Sequence, residues 1–272
     1  MSDFNRDMAS VSYGAGRADT AVIDAGLRTY MLRVYNYMTL GLVITGFAAL
    51  GMYLLSVTGD PAGAAHIVRG GAELPARIAG GVYLTPIGYA VYASPLKWVI
   101  MLAPLALVFG LSFGAERLRP STAQLLFWAY AALVGLSLGA LFMVFTHTSI
   151  VRVFFITAAS FGALSLWGYS TPRDLSGVGS FLIMGLFGVI IASLVNLFLQ
   201  SSALQWAVSV AGVFVFAGLT AWDTQRLKNE YVYGAMDGET AERSAIMGAL
   251  SLYLNFVNLF TLLLQLFGQR QD

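Results

Sequence analysis

The sequence predicts an all-α polytopic membrane protein, a bundle of seven transmembrane helices. Of its 272 residues, 58% are hydrophobic and 11% are charged, whereas soluble domains carry about 25% charged residues. The charges are also segregated. Several segments of about 17–24 residues contain no Asp, Glu, Lys or Arg, which is the length that crosses a hydrocarbon core about 30 Å thick. A helix of a soluble protein would carry a polar face through such segments.

The uncharged segments define seven spans, and the remaining residues define a tail and one long loop. Residues 1–28 are polar and rich in small side chains, and we predict a disordered tail there, ahead of the transmembrane domain 29–268. Residues 58–97 form a Gly/Pro-rich loop between spans one and two. Its apolar patch 82–93 is too short to cross the bilayer, so we expect it at the interface or packed on the bundle. The predicted spans are 37–57, 98–114, 122–145, 153–169, 178–200, 203–222 and 245–267.

The distribution of Lys and Arg predicts that the N-terminus is cytoplasmic. With this orientation, ten of the 15 basic side chains fall in cytoplasmic segments, which carry the excess of positive charge in multi-pass proteins. The basic residues that fall on the other side are Arg69, Arg77, Lys97, Arg152 and Arg270.

Several classes of function are disfavoured by the composition. The net charge of +1 favours neither nucleic acid as a partner nor an acidic substrate, and the absence of cysteine excludes disulfides and thiolate chemistry. The segment 135–139 matches the pattern of a nucleophile elbow, but it lies in an apolar helix without a His partner. Spacings typical of a zinc site or a nucleotide-binding loop are absent. We therefore predict a protein that is not an enzyme, with membrane lipid around it and without a cofactor or a bound metal.

Asp223 is the most informative ionisable residue. It lies at the end of span six, where a carboxylate is costly unless it is paired, hydrated or functional. Arg226 follows three residues later on the same helix face. Two interpretations stay open from spacing alone, an interfacial anchor paired with Arg226 and a group on an ion path.

Side-chain amides form two further stripes. Asn255 and Asn258 share a face of span seven, with Gln265 near it, and Asn196 and Gln200 share a face of span five. Amides facing lipid would lack partners, so these faces should point into the bundle. They either join helices through hydrogen bonds of about 0.6 kcal/mol each or line a path for water or ions.

Five segments carry a resemblance to a known family, and they are residues 177–185, 191–199, 220–228, 249–260 and 264–268. They resemble the Bax inhibitor (transmembrane Bax inhibitor motif) family, and the likeness runs from about Trp98 to Gly268. The segment Thr220-Ala-Trp-Asp-Thr-Gln-Arg-Leu-Lys228 and the surroundings of Tyr253 are the most specific.

The resemblance implies a seven-helix bundle with a central C-terminal helix that acts as a proton-sensitive calcium leak. In that family, two aspartates from spans six and seven share a proton or a bond near the cytoplasmic mouth, and an arginine at the end of span two helps to hold them. The first aspartate matches Asp223. The second position is Asn255 in this chain, and the arginine corresponds to Arg117 or Arg119.

Asn255 changes the expected chemistry of this pair. Two close carboxylates raise the pKa of one of them because both cannot ionise together, and an amide cannot supply that repulsion. An amide can still donate a hydrogen bond to Asp223 or offer its oxygen to a hard cation. We therefore expect weakened pH gating of a leak for calcium or another cation. The expected gating and path residues are Asp223, Asn255, Arg117, Arg119, Asn258, Asn196 and Arg226.

A second hypothesis is a non-conducting protein that modulates membrane proteases or stress responses through its helix faces. Under either hypothesis we expect a multi-pass protein of the inner (plasma) membrane. Whether the amides of spans five and seven face one hydrated cavity or only each other would help to separate the two hypotheses.

Overall fold

A computed structural model of the chain describes the backbone at residues 2–69, 72–78, 81–114, 118–234 and 238–271. Its side chains are described from residue 25 onward, apart from 69, 72, 112–114 and 233. The helices are α1 (Ser2–Ser56), α2 (Pro86–Tyr92), α3 (Leu96–Gly114), α4 (Pro120–Leu138), α5 (Leu141–Val144), α6 (His147–Ser170), α7 (Ser176–Leu199), α8 (Ser202–Tyr233) and α9 (Gly238–Phe267). The strands are β1 (Val57–Thr58), β2 (His66–Arg69), β3 (Ala72–Pro75) and β4 (Tyr83–Leu84).

The chain is an all-α polytopic membrane protein. In the described residues, six helices are long and apolar enough to cross a membrane, and there are seven candidate spans if α2 and α3, which are bent by 62° at their junction, count as one. The predicted span 122–145 corresponds to α4 and α5, which together form one candidate span over Pro120–Val144. Large apolar side chains such as Phe187, Phe198 and Phe214 are exposed on the outside of the bundle, where lipid would cover them.

The first helix begins earlier than the predicted span. Its backbone is helical from Ser2, so it includes most of the segment that the sequence assigned to a disordered tail. Proline is absent before position 61, so no proline interrupts the backbone hydrogen bonds of this helix. Among the described side chains, the buried positions of α1 begin with Leu27, Tyr30, Met31 and Val34, at the spacing of one helix face.

Residues 58–97 contain more regular structure than the predicted loop. Strand β1 pairs with β4 and β2 pairs with β3, both antiparallel. Helix α2, inside the apolar patch 82–93, begins after Thr85, whose side chain accepts a hydrogen bond from the backbone N–H of Gly88. Gly88 lies directly against the backbone of Ser56, so the patch packs on the end of α1.

The last helix is the most buried of the candidate spans. In its most apolar window 61% of the residues are buried, compared with 11% for α7 and 28–33% for the other four helices. Helix α9 contacts α1, α4, α6 and α8, whereas α7 packs chiefly on α8. Tyr253 is fully buried, and its hydroxyl lies 2.6 Å from Oγ1 of Thr45 on α1.

Helices α1 and α4 approach closely at Gly135. A Cβ atom at this position would lie 2.5 Å from the carbonyl oxygen of Thr45 and 2.6 Å from the Cβ of Ala48. Small residues allow such contacts, and van der Waals packing supplies much of the association energy of helices in lipid.

Gly135→Ala should therefore destabilise the bundle by roughly 1–3 kcal/mol, because the added methyl group forces two backbones apart. Thermal unfolding in detergent measures the effect. Gly110→Ala on α3 is the matched control, since nothing lies within 4 Å of the added Cβ at that position. Equal midpoints for the two variants would contradict the close packing of α1 on α4.

Candidate functional site: a buried carboxylate between two helices

Asp223 lies inside α8 and not at its end. The sequence predicted that span six ends at residue 222, but the helix continues for about three turns to Tyr233. Charges at 223, 226 and 228 mark the edge of the apolar segment, and they do not interrupt the backbone hydrogen bonds of the helix. Asp223 is 4% exposed, so its carboxylate faces the interior of the bundle.

Three side chains bind the carboxylate of Asp223. Asn255 donates a hydrogen bond from Nδ2 to Oδ2 at 2.7 Å, and Ser251 donates one from Oγ to the same oxygen at 2.9 Å. The guanidinium of Arg226 lies 2.8 Å from Oδ1. A buried carboxylate needs such partners because the low dielectric of the interior penalises an unpaired charge. Of the expected residues, Asp223, Asn255 and Arg226 thus come together.

Arg226 connects the site to its surroundings. Its side chain is 45% exposed, it lies over the ring of Trp222 at 5.2 Å, and its Nη2 is 3.5 Å from Oγ of Ser251. The positive charge therefore covers the carboxylate from the solvent side. Ser251 was not among the predicted residues, although its position four residues before Asn255, on the same helix face, was a usable signal.

The residue after Asp223 ties three helices together. The hydroxyl of Thr224 is 2.9 Å from that of Ser165 on α6, and the Ser165 hydroxyl is 2.5 Å from that of Tyr35 on α1. Lys228, one turn further along α8, donates from Nζ to the carbonyl oxygen of Tyr169 at 2.9 Å. Neighbouring polar residues of α8 thus bind different parts of the bundle.

Gln225 fixes the connection between α6 and α7. Its Oε1 accepts from the backbone N–H of Leu175 at 2.8 Å, and its Nε2 donates to the carbonyl oxygen of Arg173 at 2.8 Å. In the same connection, hydrogen bonds from the side chain and backbone N–H of Ser176 lower the pKa of Asp174 below its ordinary value. Gln225, two residues after Asp223, therefore holds the connection between α6 and α7 against α8.

The other expected residues lie elsewhere or outside the description. Arg117 lies outside the described residues. Arg119 is exposed at the start of α4, and no ion pair joins it to Asp223 in the described part of the chain. Asn258 donates to the carbonyl oxygen of Leu254 in its own helix. The arginine at the carboxylate is therefore Arg226 of α8.

Asn196 belongs to a second polar cluster at the opposite end of α8. It donates to Gln205 at 3.0 Å, and 18 residues of helix, about 27 Å, separate Gln205 from Asp223. The amides of spans five and seven therefore do not share one cavity: Asn196 and Gln265 meet at one end through Gln205, and Asn255 lies at the other. Among the described residues, no group of three or more His, Asp or Glu side chains could hold a metal ion.

Comparison with known proteins identifies the family. A model of the family described as "Inhibitor of apoptosis-promoting Bax1" matches residues 27–272. The chain is 43% identical over 249 residues to the inner membrane protein YbhL of Escherichia coli, with 91% of this chain and 94% of YbhL covered. It is 45% identical over 249 residues to an uncharacterized protein, RP147, of Rickettsia prowazekii, covering 92% and 93%. An uncharacterized protein of Caulobacter vibrioides is 43% identical over 272 residues, the whole of both chains. This multi-pass membrane protein belongs to the Bax inhibitor-1-like family, as the sequence motifs indicated.

Replacing Asn255 with leucine should lower the free energy of unfolding by about 1–3 kcal/mol, because a buried carboxylate loses its closest uncharged donor. Thermal unfolding in detergent provides the measurement. Asn258→Leu is the control, because it removes another amide of α9 that bonds only to a carbonyl oxygen of its own helix. This variant should change the free energy of unfolding by less than about 0.5 kcal/mol. A smaller loss for the first variant than for the second would show that the bond to Asp223 does not stabilise the bundle.

Proposed function

We propose that this protein is a cation leak, with calcium as the leading candidate ion, and that Asp223 controls it at the cytoplasmic mouth. The observation that carries the proposal is a nearly buried carboxylate bound by oxygen- and amide-bearing side chains of the facing helix. Hard cations prefer carboxylate, amide and hydroxyl oxygens, and Asp223, Asn255 and Ser251 supply one of each. Ionisable groups inside spans are rare, and they commonly mark ion and proton pathways.

The proposed orientation places the N-terminus in the cytoplasm and the chain in the inner membrane. The excess of basic residues on the N-terminal side supports the orientation. The relative YbhL is an inner membrane protein by its name, which supports the location. We further propose that α2 and α3 form one broken span, giving seven spans around a central α9, because α9 is the most buried helix.

In the proposed mechanism, the described arrangement is the closed one. Arg226 occupies one carboxylate oxygen and the α9 donors occupy the other. One to two helical turns from the site, the side chains of Phe216 and Leu219 on α8 and of Leu259 on α9 are buried in the core. Conduction requires Arg226 to leave Asp223 and α8 to separate from α9. The half-exposed guanidinium can move to solvent without crossing the core.

The amide at position 255 weakens the proposed dependence on pH. A pair of close carboxylates titrates in two separated steps, because the first ionisation opposes the second. With one carboxylate and one amide, that opposition is absent, and a neutral donor replaces the shared proton. Activity should therefore vary little across neutral pH.

Calcium flux in proteoliposomes between pH 6 and 8 tests this function. The native chain should conduct with a shallow pH profile, Asn255→Asp should make the profile steep because it restores the carboxylate pair, and Asp223→Asn should change the flux. Asn258→Asp is the matched control, since it adds an acid to α9 at a residue whose amide bonds within its own helix. A native profile as steep as that of Asn255→Asp would contradict the role of the amide, and unchanged flux in Asp223→Asn would make Asp223 only an anchor.

Arg226→Gln should raise the flux several-fold, because it removes the charge that competes with a cation for Oδ1 of Asp223. Arg173→Gln removes an exposed charge on the connection between α6 and α7 and should leave the flux unchanged. The same flux assay compares both variants with the native chain. Equal flux for all three would argue against Arg226 as the closing group.

The rival proposal is a non-conducting protein that modulates membrane proteases or stress responses. The absence of flux from the native chain and from every variant in folded, reconstituted form would favour it. Both proposals describe a protein that is not an enzyme and that has no cofactor.

A further inference from the structure

A polar cavity lies at the end of the bundle opposite Asp223. Its volume is about 530 Å³, and it is formed by the end of α7, the start of α8 and the end of α9. Its polar lining includes Asn196, Gln205, Ser209, Gln265 and Arg270. The proposed cation function does not use this cavity.

Three side-chain amides of the cavity form a chain whose direction is fixed at one end. The backbone N–H of Ser201 donates to Oδ1 of Asn196 at 3.0 Å, so Nδ2 of Asn196 must be the group that donates to Oε1 of Gln205. Gln205 then donates from Nε2 to Oε1 of Gln265 at 2.7 Å. Because a backbone N–H can only donate, the assignment of oxygen and nitrogen follows along the whole chain.

The chain leaves a donor at its far end. Oε1 of Gln265 therefore faces the donors of α8, where the single hydroxyl proton of Ser209 is shared between the carbonyl oxygen of Gln205 at 2.8 Å and Oε1 of Gln265 at 3.0 Å. The amide Nε2 of Gln265 is therefore the group that is available to a ligand. Asn196 is 8% exposed and Ser209 is 1% exposed, so two buried residues support this orientation.

The backbone at the cavity is also unusual. Gln200 ends α7 with φ of 49°, and it is the only residue other than glycine with positive φ in the described chain. Glycine or asparagine commonly occupies this position at the end of a helix, since other side chains are strained there by roughly 1 kcal/mol. Gln200 lines the cavity, so its side chain adds a further amide at the cost of that strain.

The lining has a basic residue and an apolar side. Arg270 is exposed in the cavity, and no acidic residue is among the described residues that line it. Leu197, Trp206 and Leu266 form the apolar side, and the Trp206 side chain is 64% exposed. Tryptophan is typical of the level of the lipid headgroups. A ligand that fits has a negatively charged acceptor group attached to an apolar body.

We propose that this cavity binds the headgroup of an anionic phospholipid. The phosphate accepts hydrogen bonds from the guanidinium of Arg270 and from Nε2 of Gln265, and the glycerol and first acyl carbons lie against Leu197 and Trp206. Arginine suits phosphate because its donors are arranged in a planar fork. A zwitterionic headgroup fits less well, because the lining offers no carboxylate for its ammonium group.

Native mass spectrometry of the purified protein with added phosphatidylglycerol or phosphatidylcholine tests the proposal. The native chain should retain one phosphatidylglycerol in preference to phosphatidylcholine. Arg270→Gln and Gln265→Glu should each weaken that retention by about tenfold or more, the loss expected when a bond to a charged group is removed. The glutamate can still accept the bond from Nε2 of Gln205, so this variant should keep the local fold while it repels phosphate.

Arg152→Gln is the matched control. It removes one exposed positive charge from α6. The start of α6 lies near Arg270, because the backbone N–H of Thr146 donates a hydrogen bond to the carbonyl oxygen of Gln269. Retention should stay within about twofold of that of the native chain, because exposed charges contribute little. A titration with inorganic phosphate in lipid-free detergent distinguishes a lipid from a soluble anion.

The proposal is overturned if Arg270→Gln and Gln265→Glu retain phosphatidylglycerol like the native chain, or if phosphatidylcholine is retained equally well. Competition by inorganic phosphate at a concentration similar to that of the lipid would also overturn it, since the apolar side of the cavity would then contribute nothing. Loss of retention in Arg152→Gln to the same degree would indicate general electrostatic attraction and not this cavity.

Discussion

The arrangement of α8 and α9 depends on one carboxylate that is buried within a membrane protein. Asp223 is almost inaccessible, and an unpaired charge in such a position would cost several kcal/mol. Helices α8 and α9 must therefore stay in register, so that Ser251 and Asn255 of α9 lie opposite Asp223 of α8. The neighbouring residues extend this constraint, since Thr224 and Gln225 bind α6 and the connection that follows it.

Polar side chains collect at the two ends of α8, and the middle is apolar. The carboxylate site lies toward one end and the chain of amides toward the other, with Phe216 and Leu219 buried between them. Hydrogen bonds at the ends fix the orientation of the helices, while van der Waals contacts fix their separation. The proposed path for ions would require this apolar middle to open.

The residue of α9 that binds Asp223 at position 255 is an amide, so Asp223 is the carboxylate that needs a positive partner at this site. A single carboxylate carries one negative charge, and Arg226, three residues away on the same helix, balances it at 2.8 Å. Two carboxylates at this place would repel each other and would have to share a proton. The contact between Asp223 and Asn255 uses an amide donor whose state does not change near neutral pH.

The sequence by itself determined the membrane class, the family, the presence of helix at each of the seven predicted spans and the face of α9 that carries Asn255. These features follow from uncharged length and from helical periodicity, which are local properties. The tertiary structure decided the rest. Helix α8 continues past residue 222, the arginine at the site comes from α8 and not from Arg119, and Asn196 joins Gln265 through Gln205. Spacing along a chain tells which residues share one face, but which faces meet depends on packing between helices that are distant in sequence.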